Sequence, residues 1–193
     1  SGISLAGLSS VGGELSITDV EMLQSIELES LVTLGGLALY ADEPVDLQGL
    51  RKVSTPLIEQ IGGDVRLSGT KGLYQWEAPL LAEITGSLSV QGSCSYEPEL
   101  ASLRRVESLD LVGNCGLESL EGLPITEVVG QAEDGSSIRI EHNDGLSEEV
   151  LDAFLSGVTV SGDGTSQVTA AAEGDCSAWQ NMSWTSDTEW CSQ

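Results

Sequence analysis

Apolar pairs separated by one mostly polar or small residue recur seven times along the chain, at Leu15/Ile17, Leu37/Leu39, Val65/Leu67, Leu88/Val90, Leu109/Leu111, Ile138/Ile140 and Val158/Val160. Successive copies are 22, 28, 23, 21, 29 and 20 residues apart. That period belongs to a coil that lays one short strand per turn on the last. Most copies carry a lead-in of two apolar residues three apart: Leu8 and Val11, Leu31 and Leu34, Ile58 and Ile61, Leu81 and Ile84, Leu103 and Val106. Three lead-ins run directly into Gly12-Gly13, Gly35-Gly36 and Gly62-Gly63, and a fourth into Thr85-Gly86. Glycine at such a corner lets adjacent turns approach closely. The fifth copy passes from Val106 through Glu107 to Ser108, so the corner favours glycine without requiring it.

Alternation of period two sends Leu15, Ile17 and their counterparts to the interior. Ser16, Ala38, Arg66, Ser89, Asp110, Arg139 and Thr159 then form an outward row. One turn cannot bury its apolar stripe alone, so stability must come from stacking and both ends need caps. With one Phe and three Tyr, the expected core is aliphatic. After Ile138/Ile140, His142-Asn143-Asp144-Gly145 reads as a turn and Ser147 to Ser156 as a helix. Ser147 caps it, Glu148 and Glu149 suit its positive first turn, Val150, Leu151, Phe154 and Leu155 form its apolar stripe, and Gly157 ends it. The helix should lie across the end of the coil, with Val158/Val160 as the last strand. The expected fold is mainly β: a solenoid of about seven turns over residues 1–162 with one C-terminal helix, then a Trp-rich, disulfide-closed cap or tail over 163–193.

The cysteines test this register independently. Cys94 and Cys115 each lie four residues after a strand phrase, Val90 and Leu111, in consecutive turns. Stacked strands are about 4.8 Å apart, within the roughly 4.4 to 6.8 Å that a disulfide spans between Cα atoms. A Cys94–Cys115 bridge follows, leaving Cys176 and Cys191 to close a C-terminal loop; the alternative is four buried thiols. Paired cysteines imply an oxidising compartment, hence an extracellular or cell-surface location. The chain shows no signal peptide and no apolar run long enough for a membrane, and reads as a mature or trimmed ectodomain. Because the apolar pattern already runs at Ile3 and Leu5, an N-terminal cap would be short, cut away or supplied by a partner.

Charge narrows the partners. With 31 acidic and 7 basic residues the net charge is -24, which disfavours nucleic acid and anionic membranes. The excess serves solubility of a sheet-rich body, or high salt, or weak cation binding along acidic loops. Calcium is the one candidate cofactor, through Asn143, Asp144 and Glu148, or Asp163, although neither set matches an EF-hand. No Cys/His spacing suits zinc. His142 is the only histidine and no nucleophile motif lies near it, so no catalytic residue is assigned and an enzyme is not expected. Trp179, Trp184 and Trp190 lie between Cys176 and Cys191 and could stack on sugar or fill a protein pocket; the competing reading is a lid over the open coil. Asn181-Met182-Ser183 fits the N-glycosylation pattern.

The form shared by Leu8-Ser9-Ser10-Val11-Gly12-Gly13-Glu14-Leu15-Ser16-Ile17 and Ile84-Thr85-Gly86-Ser87-Leu88-Ser89-Val90 resembles the receptor L domain. That family, a leucine-rich-repeat-like right-handed β-helix, includes receptor ligand-binding lobes and many secreted bacterial proteins, and the likeness covers roughly residues 3 to 162. The stretch from Glu141-His142-Asn143-Asp144 to Val158-Thr159-Val160-Ser161-Gly162 resembles the ending of the bacterial members. The resemblance specifies fold better than function and transfers no ligand site. The expected role is a non-catalytic binding or adhesion module that presents a rigid face to a protein or glycan. Tyr40, Arg66, Arg104, Arg105 and Arg139 are its candidate contacts. The alternatives are a carbohydrate-binding module that uses the three tryptophans, and a structural unit that self-associates through its N-terminal edge.

Overall fold

The computed structural model describes residues 1–18, 22–40, 49–70, 72–73, 75–93, 97–114, 116–132, 135–161 and 167–170. Each of the first five coils sets one short strand on one wall and a longer run on the other. The strands are β1 (Gly2–Ser4) and β2 (Ser10–Thr18), then β3 (Ser25–Glu27) and β4 (Thr33–Tyr40). The third coil has β5 (Lys52–Ser54), with its long run split into β6 (Gln60–Ile61) and β7 (Val65–Ser68). Next come β8 (Gln75–Glu77) and β9 (Glu83–Gln91), then β10 (Glu97–Glu99) and β11 (Arg105–Val112). Beyond them lie β12 (Glu127–Val128), β13 (Ser136–Glu141), helix α1 (Glu148–Gly157), β14 (Thr159–Val160) and β15 (Gln167–Ala170). Among the described residues every strand pairing is parallel, in one sheet of five strands and another of ten.

The repeated phrases become columns. Leu15, Leu37, Val65, Leu88, Leu109 and Ile138 are successive register partners, as are Ile17, Leu39, Leu67, Val90, Leu111 and Ile140. Lead-in residues form a third column, Val11, Leu34, Ile61, Ile84, Val106, Val128 and Val160. From the second coil to the sixth these side chains are fully buried.

Two expectations change here. The solenoid has about five turns rather than seven, because the short-strand wall ends at β10 and only the long wall continues. The last phrase, Val158/Val160, also sits in a different place from the one its alternation suggested. Val160 pairs with Val128 in the lead-in column, while Ile138 and Ile140 pair with Val168 and Ala170 of β15. Thr159 accordingly faces Glu127, and Thr169 takes the place opposite Arg139. The cause is an excursion in the sixth coil: Val128 and Ile138 are ten residues apart, against three or four in earlier coils. A short apolar alternation cannot by itself distinguish lead-in from strand. β15 also carries the sheet past residue 162.

The short-strand wall stacks Ile3, Ile26, Val53 and Trp76 in register. Trp76 is 1% exposed and modifies the aliphatic expectation. Its indole Nε1 donates to the Thr55 hydroxyl at 3.2 Å, which satisfies the ring's one polar atom inside the core. Helix α1 supplies a side of the final coil. The Val150 amide donates to the Ser147 hydroxyl at 3.3 Å, Glu148 and Glu149 occupy the first turn, and Leu151 is buried.

Two corners explain the glycine and asparagine pattern. At the first, a Cβ on Gly35 would lie 2.7 and 2.8 Å from the carbonyl oxygens of Gly12 and Gly13, and one on Gly63 would strike the Gly35 carbonyl. At the second, Gly69, Gly92, Gly113 and His142 all have positive φ, 65°, 67°, 68° and 57°. Each is followed by a fully buried polar residue: Thr70, Ser93, Asn114 and Asn143. Asn114 Oδ1 accepts from the Ser93 amide at 3.0 Å, and its Nδ2 donates to the Val90 carbonyl at 2.9 Å. Asn143 repeats the motif one coil on, accepting from the Asn114 amide and donating to the Leu111 carbonyl, both at 2.9 Å. Each amide side chain thus ties its own coil to the one before it.

Replacing Asn114 by Ala strands the Ser93 amide and the Val90 carbonyl in a dry corner, and should cost about 2–4 kcal/mol. Urea unfolding checks this; a loss under about 0.5 kcal/mol would contradict the ladder. The cysteines lie outside the described residues, but the Val90–Leu111 register behind the expected Cys94–Cys115 bridge holds. Non-reducing peptide mapping should recover Cys94 linked to Cys115 and Cys176 linked to Cys191.

Candidate functional site

The long wall presents the outward row as aligned register partners: Ser16, Ala38, Arg66, Ser89, Asp110, Arg139 and, in place of Thr159, Thr169. Thr18, Tyr40, Ser68, Gln91, Val112 and Glu141 form a parallel row at the strand ends. Four of the five basic and aromatic candidates therefore lie on this wall or at its margin. Arg66 and Arg139 share one row, three strand spacings or about 14 Å apart. Tyr40 is half-buried at the end of β4 in the neighbouring row. Ala38 and Val112 are buried, so the polar face has two apolar interruptions.

The arginines are held by their neighbours. Arg66 Nη2 meets Asp64 Oδ2 at 2.6 Å, while the other oxygen of Asp64 accepts from the Ser87 amide at 3.0 Å. Asp110 is the centre of a second group: its Oδ2 accepts from Gln91 Nε2 at 2.7 Å and from the Ser89 hydroxyl at 3.2 Å. Arg139 Nε stands 3.5 Å from Asp110 Oδ1 and 3.4 Å from Glu141 Oε2, charge contacts beyond the usual hydrogen-bond range. Arg105 spans Glu83 at 3.2 Å and Glu127 at 3.5 Å, and Gln60 continues that ladder by donating to Glu83 at 2.8 Å.

Arg104 departs from the other candidates. Its Nη1 donates to the carbonyls of Ala101 at 2.9 Å and Leu103 at 3.0 Å, so it serves the corner between the walls. The adjacent pair Arg104-Arg105 is thus not one cationic patch. Pairs this exposed are individually worth under about 1 kcal/mol, and their effect is to fix side-chain positions on the face.

The calcium candidates separate as well. Asn143 is fully buried, with both polar side-chain atoms engaged in the ladder, whereas Asp144 lies on the exposed turn. Asp163, like Trp179, Trp184, Trp190, Cys176 and Cys191, lies outside the described residues. Among the described residues no group of His, Cys, Asp and Glu is placed to hold a metal ion. None of their helices is long and apolar enough to cross a membrane.

One feature escaped the sequence reading: an open apolar groove of about 460 Å³ between α1 and the sixth-coil corner, lined by Leu120, Leu123, Ile125, Val150, Ala153 and Phe154. Val150 and Phe154 belong to the expected apolar stripe of the helix; they are partly buried against the core and also line this groove. Their recurrence with Ala153 and Gly157 at helical spacing marks a second stripe beside the one that buries Leu151.

A scan against protein-family models matches none, and neither the curated proteins nor the solved structures yield a match.

Asp110→Ala removes the shared acceptor of Gln91 and Ser89 and a charge partner of Arg139, at a carboxylate only 16% exposed. It should destabilise by about 1–2 kcal/mol, while Arg66→Ala, 54% exposed, should change stability by less than about 0.5 kcal/mol. Parallel urea titrations check the difference; equal effects would remove Asp110 from the centre of this network.

Proposed function

We propose that the protein is a non-catalytic binding or adhesion module of an extracellular or cell surface, and that the long wall of its solenoid is the surface it presents to a protein or glycan. The observation that carries this reading is the outward row itself. Ser16, Arg66, Ser89, Asp110 and Arg139 repeat at strand spacing, and hydrogen bonds and ion pairs hold Arg66, Ser89, Asp110 and Arg139 in place. Groups already ordered before contact lose less entropy on binding. Charges of both signs in one row also favour a partner of matching pattern over a simple polyanion or polycation. The likeness to receptor L domains supports the same role, since that fold offers a wall and its corners for recognition. Four cysteines, read as two disulfides, support a secreted or surface location. The reading invokes no cofactor.

The test is a screen of the purified chain on glycan and surface-protein arrays, followed by affinity measurements on any retained ligand. Arg66→Glu and Arg139→Glu should each weaken binding about tenfold, equivalent to ~1.4 kcal/mol. A form ending before Cys176 should bind unchanged. If truncation abolishes binding and both charge reversals leave it intact, the C-terminal tryptophans carry the contact and the wall reading is wrong.

A further inference from the structure

An apolar ridge runs along the corner where the short wall turns into the long one. The same tight turn recurs there in the second to fifth coils: the amides of Leu31, Ile58, Leu81 and Leu103 donate to the carbonyls of Leu28, Thr55, Ala78 and Leu100 at 3.1, 3.4, 3.1 and 2.8 Å. All four turns lie within the described residues, in the middle of the stack, and their tips are Glu29-Ser30, Pro56-Leu57, Pro79-Leu80 and Ala101-Ser102. The third and fourth coils therefore stack the same Pro-Leu pair, with Leu57 44% and Leu80 46% exposed, while Val32, 54% exposed, follows the turn of the second coil. Three of the five large apolar side chains exposed among the described residues are on this corner.

An isolated exposed leucine is ordinary, but leucines on successive coils about 4.8 Å apart form one patch. Proline beside each of them fixes φ at the tip, so the ridge is ordered before any contact and loses little entropy in making one. The residues that follow the turns are tied between coils as well. The Ala82 amide donates to the Glu59 carbonyl at 2.8 Å and the Arg104 amide to the Ala82 carbonyl at 2.9 Å, which places Glu59, Ala82 and Arg104 in one column beside the ridge.

The order of residues along the ridge selects the occupant. The second tip position reads Ser30, Leu57, Leu80, Ser102 down the stack, the same in both directions. An isologous contact needs such a surface, because each residue that meets another must be met by it in return. Charge obeys the same symmetry: the exposed acids Glu29 and Glu59 lie in the second and third coils and the exposed base Arg104 in the fifth, so a copy laid in reverse brings each base to the acidic end of the other. We propose that the ridge is an isologous interface with a second copy of the chain. The twofold axis lies in the interface, between the third and fourth coils and along the chain direction at the turns, so the two stacks run antiparallel. Leu57 packs on Leu80 of the partner subunit, and Arg104 comes beside the partner's Glu59. The same axis turns both long walls to one side of the dimer, which then presents two copies of the polar face.

The patch spans four coils, about 14 Å along the stack, which is at the small end of specific interfaces, so the association is weak and reversible. The experiment is sedimentation equilibrium of the full chain from micromolar to near-millimolar concentration, at about 0.15 M salt, where a Debye length of about 8 Å screens the remote acidic residues. The expected result is a reversible rise from 20.2 kDa towards twice that mass. Leu57→Asp and Leu80→Arg each change a side chain that is nearly half exposed. Each should keep the wild-type melting curve and weaken self-association at least about tenfold. Mixed in equal amounts, the two variants should associate again, because the mixed pair sets the new carboxylate against the new guanidinium at one contact and keeps Leu57 on Leu80 at the other. A monomer at every concentration overturns the proposal and leaves the ridge to the C-terminal segment or to a different protein. A dimer indifferent to both variants places the contact elsewhere, and a mixture that stays monomeric rules out the antiparallel pairing; either overturns the proposal.

Discussion

Every part of this molecule answers to one constraint: a coil can hide its apolar residues only against another coil, at the spacing set by parallel strand pairing, about 4.8 Å. At that distance side chains in equivalent positions must stack directly, so each column accepts residues of similar bulk and polarity. The Leu15 column remains aliphatic through Ile138 for this reason. Where a column turns polar, as at Asn114 and Asn143, the side chain must satisfy backbone groups of the neighbouring coil, because no water reaches them. Where the backbone itself is the contact, as at Gly35, a Cβ has no room.

The same spacing governs the face. Charges in one outward row are held within reach of each other whether or not their attraction contributes much to stability. The Glu83–Arg105–Glu127 ladder and the Asp110 group therefore settle sign conflicts within an acidic protein. Without Arg105, two carboxylates would flank an empty strand position. The scarcity of basic residues makes the place of each one informative: Arg66, Arg105 and Arg139 sit among acids on the long wall, and Lys52 meets Glu77 at 2.7 Å on the other.

Much of the long wall was legible in the sequence, because five- to seven-residue alternations repeated at nearly fixed intervals leave few ways to stack. The short-strand wall was not. Three residues such as Ser25–Glu27 or Lys52–Ser54 are too few to show alternation, and Trp76 gave no hint of sharing a column with Ile26 and Val53. The last phrase misled for a related reason: Val158 and Val160 have the right spacing, but the excursion between Val128 and Ile138 shifts which column they join. On the candidate face, Arg66 and Arg139 could be placed in one row from register alone. Their ion pairs, and the different duty of Arg104, depend on side-chain reach that periodicity does not encode. The groove beside α1 was hidden because Val150 and Phe154 look the same on a helical wheel whether they seal a core or line a cleft.

Parallel pairing also gives the molecule a mechanical direction. The described chain begins at the first coil and leaves from β15 at the other end of the stack, and the hydrogen bonds of both walls run along that same axis. Tension along the stack is therefore borne by one coil boundary at a time, in a peeling geometry, while force across the walls meets the covalent backbone of every strand. The asparagine ties span the boundaries among the fourth, fifth and sixth coils, with no counterpart among the described bonds of the first two. The solenoid is stiff transversely and yields lengthwise, one coil boundary at a time.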